Sequence, residues 1–399
     1  MRLKSFIVLA AVTILVAGGA FYTWNLRESS TRGTVTSEPL FPGLTDRIND
    51  IDRLTIRTSA DGTITLVREG DDWGMAERHG YPAAFEKIRN TLIEIAALNT
   101  IEPRTSKPEL YEKLQVEDVE SELSSSIRVT AAAGDEIVAD LIVGRTRPTQ
   151  EGGGVFVRKA GEEQSWLAEG SIQPQRKFVQ WLDRNIVNAD QRRIRRVEMT
   201  RPDGQGVVIS KQHPADEAYT LETPVPEGRK VKPDSELRAL ASITDFLILE
   251  DVRPQDEVDF ASSPIIDRFL TFDGLELVME VVEQDDRSWV RVTAGPTERF
   301  EGLDAFVEEH KGQDSREGRI ADQMKTPEEI EKEIAAINDR VDGWAYRVTD
   351  YKTGKLKTTI EDITENLEAA ASEGEAPAAP AEEAAPEAPA ADASTSSGG

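Results

Sequence analysis

The chain has 399 residues, enough for one sizeable hydrophobic core or two medium ones, and its 38% hydrophobic and 30% charged residues describe a globular body. With 47 Lys and Arg against 74 Asp and Glu, the formal charge of −27 repels nucleic acid and anionic lipid surfaces, so neither is expected as a partner. There is no cysteine, which excludes disulfides, thiol catalysis, thiolate metal sites and a lipid-modified cysteine.

Residues Ser5 to Leu26 carry no charged side chain, and the apolar run Phe6 to Val12 continues through Ile14, Leu15 and Val16 to Phe21 and Trp24. At about 1.5 Å per residue such a helix reaches about 33 Å, enough to cross a hydrocarbon core of about 30 Å. Arg2 and Lys4 precede the run, while Arg27 beyond it is offset by Glu28. The positive-inside rule then places the N-terminus in the cytoplasm and the body outside, with Tyr22 and Trp24 at the outer interface. Gly18-Gly19-Ala20 offers the alternative of a cleavable signal peptide, although signal peptides usually have a shorter apolar run. Either way the body is exported, and the expected setting is the inner membrane, spanned once by residues 1–27, with a periplasmic body. Residues 28–43, rich in Ser, Thr, Gly and Pro, read as a linker.

A strand signature then occurs twice. Ile51-x-x-Leu54-x-Ile56, a turn at Asp61-Gly62 and Thr63-Ile64-Thr65-Leu66 predict one hairpin; Ile194-x-x-Val197-x-Met199, Asp203-Gly204 and Val207-Val208-Ile209 predict another. Apolar residues alternate along both arms, and Asp-Gly is a strong turn signal because glycine accepts positive φ without a Cβ clash. The chain therefore reads as a duplication, with a first unit over 44–190 and a second over 191–367.

In the first unit, Asp72 to Met75 predicts a third strand, and Tyr81-Pro82 leads into a helix with Phe85, Ile88, Leu92 and Ile95 on one stripe. A helical piece at Glu109 to Leu114 follows, then strands over 126–131, 136–143, 155–158 and 165–168, and a helix from Pro174 through Phe178, Trp181 and Leu182. The second unit repeats the plan. Strands near 194–200, 206–211 and 218–222 precede a helix opened by Lys232-Pro233-Asp234 and carrying Leu237, Leu240, Ile243 and Leu247. Strands over 269–272 and 275–283 flank Asp273-Gly274, and Trp289 to Val292 makes the next. A charged insertion over 295–342 contains an expected helix from Pro327 with Ile330, Ile334, Ile337 and Val341 on one face; Trp344 to Arg347 then supplies a strand. A closing helix is expected from Leu356, Ile360, Ile363 and Leu367. Residues 368–399, almost entirely Ala, Pro, Glu and Ser, hold no large apolar side chain and read as a disordered tail.

The apolar N-terminal run, the repeated I-x-x-L-x-I hairpin followed by a Trp strand, Val155-Phe156-Val157-Arg158, the Trp181-Leu182-Asp183-Arg184 helix and Trp344-x-Tyr346-Arg347 together resemble the bacterial family called domain of unknown function 4340. The resemblance runs over roughly residues 44 to 367. It implies a membrane-tethered envelope protein whose relatives are often encoded beside an ABC transporter ATPase, its permease and a gliding-motility-type auxiliary protein. It carries over no catalytic residue. The insertion and the acidic tail depart from the family's compact form.

Candidate chemistry is sparse. His79, His213 and His310 lie far apart in polar stretches without metal-ligand spacing, so they read as surface histidines. Asp285-Asp286 and Asp256-Glu257 lack the D-x-D-x-D-G calcium loop and read as solvated acids. Gly152-Gly153-Gly154 lacks the Gly-Lys-Ser/Thr and helix of a phosphate loop and reads as a hairpin loop. Arg192-Arg193-Ile194-Arg195-Arg196 is the densest basic cluster, suited to an acidic partner or, by preference, to the protein's own acidic body. The amphipathic helix of 327–341 suits a partner helix or, more commonly, its own domain.

The expected fold is α+β: two tandem similar units of mainly antiparallel sheet with helices on one side. The expected function is a membrane-anchored extracytoplasmic accessory or scaffolding protein without catalysis, with no cofactor, metal or catalytic residue assigned; the transporter setting comes from the resemblance alone. An alternative is a tethered binding protein for a small solute or envelope polymer, held in a cleft between the units lined by Trp166, Trp289 or Trp344. A hydrolase with a triad assembled from distant residues is a third reading.

Overall fold

The computed structural model describes residues 37–367 except 122, 150, 151 and 263. The expected anchor at 5–26, most of the 28–43 linker and the 368–399 tail lie outside the described residues. Among those described, no helix is long and apolar enough to cross a membrane.

Ten strands build the first sheet: β1 (Glu38–Pro39), β2 (Arg53–Thr58), β3 (Gly62–Glu69), β4 (Asp72–Met75), β5 (Tyr81–Pro82), β6 (Asn99–Pro103), β7 (Ile127–Ala133), β8 (Glu136–Thr149), β9 (Gly152–Lys159) and β10 (Ser165–Glu169). The second sheet holds β11 (Asn185–Val187), β12 (Ile194–Thr200), β13 (Gly206–Ser210) and β14 (Thr220–Leu221), then β16 (Leu247–Pro254), β17 (Ile265–Thr271), β18 (Leu275–Gln284), β19 (Arg287–Pro296) and β20 (Trp344–Val348). Between them in sequence, β15 (Arg229–Val231) leaves this sheet to pair with β21 (Thr364–Asn366).

The two expected hairpins are present. Leu54 faces Leu66 and Ile56 faces Ile64 across β2 and β3, and the turn closes through Gly62 at φ 82° and an Asp61 N–H donated to Thr58 Oγ1 at 2.9 Å. The second hairpin pairs Val197 with Ile209. Side chains that alternate along an arm point to opposite faces, which is why Leu54, Ile56, Ile64 and Leu66 are all buried together.

The first sheet is ordered β1-β6-β10-β9-β8-β7-β2-β3-β4-β5 and the second β11-β16-β20-β19-β18-β17-β12-β13-β14. From β6 to β4 and from β16 to β14 the two orders agree strand for strand, and every pairing is antiparallel. One hydrophobic cluster runs through both sheets, taking in Leu54, Ile56, Leu66 and Ile88 from the first half and Val197, Leu237, Leu249 and Phe269 from the second. Each sheet also has a smaller cluster. Tyr111, Val116, Ile142, Phe156 and Leu167 pack together in the first, and Val258, Phe260, Val282, Trp289 and Ala345 in the second.

Several expectations are corrected. Asn99–Pro103 and the stretch after Phe246 are strands β6 and β16. Leu247 therefore opens β16 instead of ending a helix; the helix stops at Ala241, and Phe246 at φ 46° turns the chain into the sheet. The expected helix from Pro174 is only a 3-10 turn at Phe178–Trp181. The Trp181 carbonyl is taken by the Ala84 N–H at 2.7 Å, and Leu182 bridges Ala83 in extended form. The closing helix ends at Leu356, after which Ile363 is buried in a turn and Thr364–Asn366 pairs as β21. Phe85 is 51% exposed and does not share the buried face of Ile88, Leu92 and Ile95 in helix Phe85–Ala96. Gly152 to Gly154 begin β9 and do not form the expected loop.

The insertion folds as helices Leu303–His310, Arg316–Ala321 and Pro327–Val341. The third is opened by a reciprocal cap in which Thr326 and Glu329 each satisfy the other's backbone N–H, and it buries Ile330, Ile337 and Val341. The first two close a separate cluster of Phe272, Leu303, Phe306, Ile320, Ala321 and Met324.

Candidate functional site

The residues singled out in the sequence go to different places. His79 lies 3.5 Å from Glu257 on the surface. His213 and His310, distant in sequence, converge on one ring: Phe306 lies 5.4 Å from His213 and 4.8 Å from His310. His213 Nδ1 accepts the Ala215 N–H at 3.1 Å, so the imidazole braces its own loop. Among the described residues no group of three or more His, Cys, Asp or Glu could hold a metal ion. Asp285 and Asp286, at φ 56° each, form the tight turn between β18 and β19, and Asp256 and Glu257 lie in a 3-10 turn after β16.

The arginine cluster disperses into intramolecular contacts. Arg192 Nε donates to Asp190 Oδ1 at 2.8 Å, Arg193 contacts Asp273 and Glu333, and Arg196 pairs with Glu198 and Glu222. Arg195 lies over the Phe300 ring at 5.4 Å. The alternation of a strand explains the split, since Arg192 to Arg196 run from a 3-10 turn into β12 and neighbours point in opposite directions.

The junction between the sheets is packed with aromatic rings. Tyr81 on β5 meets Trp344 edge-on at 4.9 Å and Tyr346 at 6.1 Å, while its hydroxyl donates to the Asp183 carbonyl at 3.1 Å. Burial pushes the Tyr81 phenol up to about 12, because an anion there would lose its hydration. Beside it, Arg78 Nε donates to Asp251 at 2.8 Å, with the guanidinium 4.0 Å over the Phe178 ring. The three tryptophans proposed to line a cleft occupy separate settings. Trp344 packs on Tyr81, Trp289 is 1% exposed beneath Arg253 at 3.7 Å, and Trp166 lies on β10 against the main core.

A cleft of about 400 Å³ opens where the second hairpin meets the insertion. Its walls carry Arg192, Lys211, Arg238, Arg316 and Arg319 with Glu217 as the acidic member. Lys211 follows β13 directly, Arg238 comes from helix Asp234–Ala241, and Arg316 and Arg319 come from the insertion. Arg316 fastens the wall by donating to the carbonyls of Ala215 at 2.7 Å and Asp216 at 3.1 Å. Lys211 Nζ sits 4.6 Å over the Tyr219 ring, which is held in place by its hydroxyl donating to the Ile194 carbonyl at 2.8 Å. Burial, and after it the charges of Arg316 and Arg238, hold the Lys211 pKa below its ordinary value. Among the described residues Lys211 has no carboxylate partner, while Arg192 and Arg238 are paired with Asp190 and Asp234. Chemically this is a concave site that stabilises negative charge. Apart from Arg192, which belongs to the basic cluster read from the sequence, no local pattern marks it, because its cations come from four separate segments of the sequence.

Residues 73–261 match the family model described as Domain of unknown function (DUF4340). The match starts in β4 of the first sheet and reaches past β16 of the second, so it is not confined to either. No curated protein and no solved structure matches the chain.

Proposed function

We propose that this chain, whose residues 73–261 match the DUF4340 family model, is a membrane-anchored extracytoplasmic accessory or scaffolding protein that performs no catalysis itself. Its setting is an ABC-transporter-associated envelope complex, as the family resemblance implies, with residues 5–26 as the single-pass anchor in the inner membrane. The chain is read as a duplication, with units expected over 44–190 and 191–367, although β1 precedes the first bound and β11 already pairs in the second sheet.

The observation that carries this reading is the way the two sheets are joined. Strand orders that agree from β6 to β4 and from β16 to β14 face a shared core, and Tyr81, Trp344, Arg78 and Asp251 fill and tie the junction. A core continuous across two sheets favours a stiff body over a hinged pair, because separating the halves would expose its apolar surface to water. A stiff body on a tether suits presentation of a surface to a neighbouring membrane protein. It suits a hinged trap for solute much less, so the reading with a ligand between the units is not favoured.

The test is purification of the full-length protein from its native membranes in mild detergent, beside a control carrying an unrelated membrane helix. Recovery of a permease and its ATPase in near-fixed ratio supports the proposal. A protein recovered intact and alone overturns the complex.

A further inference from the structure

We propose that the cleft around Lys211 is a binding site for the phosphate group of a soluble phosphorylated ligand.

In a protein of formal charge −27, five cations line one cavity with a single carboxylate, Glu217, among the described residues. Two of them, Arg192 and Arg238, already answer aspartates. Arg316 is satisfied in hydrogen bonds by two backbone carbonyls, which leave its charge unneutralised except for Glu317 at 3.9 Å. Among the described residues Arg319 is paired only with Asp314, at 3.8 Å, and its side chain is 60% exposed. Lys211, among the described residues, has no carboxylate within ion-pair distance, Asp234 and Asp216 acting on it only from further away, and it is half-buried against an aromatic face.

Removing a cation from water without a counter-ion is unfavourable, and placing others beside it adds repulsion. The depressed pKa of Lys211 reports that cost, which an anion entering the cleft would relieve. A monoanionic carboxylate would be matched by one guanidinium fork. A phosphate brings up to two charges and three terminal oxygens in a tetrahedral spread, which suits Lys211, directly after β13, facing Arg316 and Arg319 on helix Arg316–Ala321. The volume of about 400 Å³ lies in the range of small-molecule pockets and leaves room beyond the phosphate itself. The acidic body disfavours approach to an anionic lipid surface, so the phosphate is assigned to a soluble ligand, whose binding is independent of the accessory role proposed above.

The test is calorimetric titration of the purified full-length protein in a neutral detergent at low ionic strength. Inorganic phosphate and glycerol phosphate are the probes, acetate is the comparison, and phosphatidylglycerol vesicles form a separate arm. The expected result is saturable binding of both phosphates at one site per chain, with acetate at least tenfold weaker. Lys211→Met should weaken phosphate at least tenfold, and Glu217→Gln should strengthen it. Arg319→Gln, at an exposed position that leaves the fold intact, should weaken it severalfold. Absence of saturable phosphate binding overturns the proposal, as does phosphate binding unchanged by both Lys211→Met and Arg319→Gln. Equal binding of acetate overturns the phosphate assignment, and binding to the vesicles without binding of either soluble phosphate overturns the soluble ligand.

Discussion

Arg193 Nε donates to Asp273 Oδ2 at 2.8 Å, with the two side chains only 3% and 0% exposed. The other edge of the guanidinium donates to Glu333 at 2.9 and 2.7 Å, so the start of β12, the turn between β17 and β18, and helix Pro327–Val341 meet at one point. Burial by itself would lower the Arg193 pKa; the hydrogen bonds and charges of Glu333 and Asp273 outweigh it and hold the value above the ordinary one. Asp273→Ala should therefore cost about 3–5 kcal/mol, because it leaves a buried cation with part of its partners gone. Urea unfolding measures this, and a loss below about 1 kcal/mol would contradict the account.

Asp267, in the middle of β17, is buried with neither carboxylate oxygen hydrogen-bonded among the described residues. Burial raises its pKa well above the ordinary 3.8, and the charge of Arg201 offsets only part of that. Between the unfolded and folded values the native protein binds more protons than the unfolded chain, so this group makes stability fall as pH rises through that window. Glu333 has the opposite sign. Burial raises its pKa, but Arg193 and Lys325 bring it below the ordinary value, so its contribution is present above 4.5 and is lost as pH falls through the folded value. Asp267→Asn should stabilise the protein by about 1 kcal/mol or more at neutral pH and much less near pH 3. Parallel stability profiles for variant and parent between those limits would show the carboxyl is not responsible.

Tyr81→Ala removes the ring that meets Trp344 and Tyr346 at the junction. A loss of about 3–5 kcal/mol is expected for a buried aromatic of this size. Because the ring joins the two sheets, calorimetry should show a single transition in the parent and two in the variant. One shifted transition in the variant would mean the halves stay coupled through the rest of the core.

Gly144 in β8 lies under the segment that follows Pro108. A Cβ built there would stand 2.3 Å from the Leu114 carbonyl oxygen and 2.8 Å from that of Gln115, and backbone cannot move aside as a side-chain tip can. Gly144→Ala should destabilise by about 1–3 kcal/mol and speed proteolysis between Pro108 and Val119. Gly295→Ala, with nothing within 4 Å of its Cβ, is the control and should change stability by less than about 0.5 kcal/mol. Equal behaviour of the two variants would dismiss the steric account.

What the chain determines locally could be read from it. Asp61-Gly62 and the alternation of Leu54, Ile56, Ile64 and Leu66 predict the first hairpin, and Thr326 with Glu329 opens the helix that buries Ile330, Ile337 and Val341. Both signals are properties of adjacent residues, a turn that needs positive φ and a repeat of 2 or about 3.6 residues. The recurrence of that hairpin pointed to a second sheet, and the two strand orders agree with it.

Only the tertiary structure decided the rest. β6 is a strand because β1 and β10 flank it, and Leu247 joins β16 because Phe246 reverses the chain and β11 and β20 supply its hydrogen bonds. Ile363 has helical spacing from Leu356 and yet sits in a turn, since the strand that follows it pairs with β15. The basic cleft depends on distance most of all. Lys211, Arg238 and Arg316 become neighbours only when the insertion closes over the second hairpin, and electrostatic energy depends on separation in space, which the order of residues along a chain does not specify.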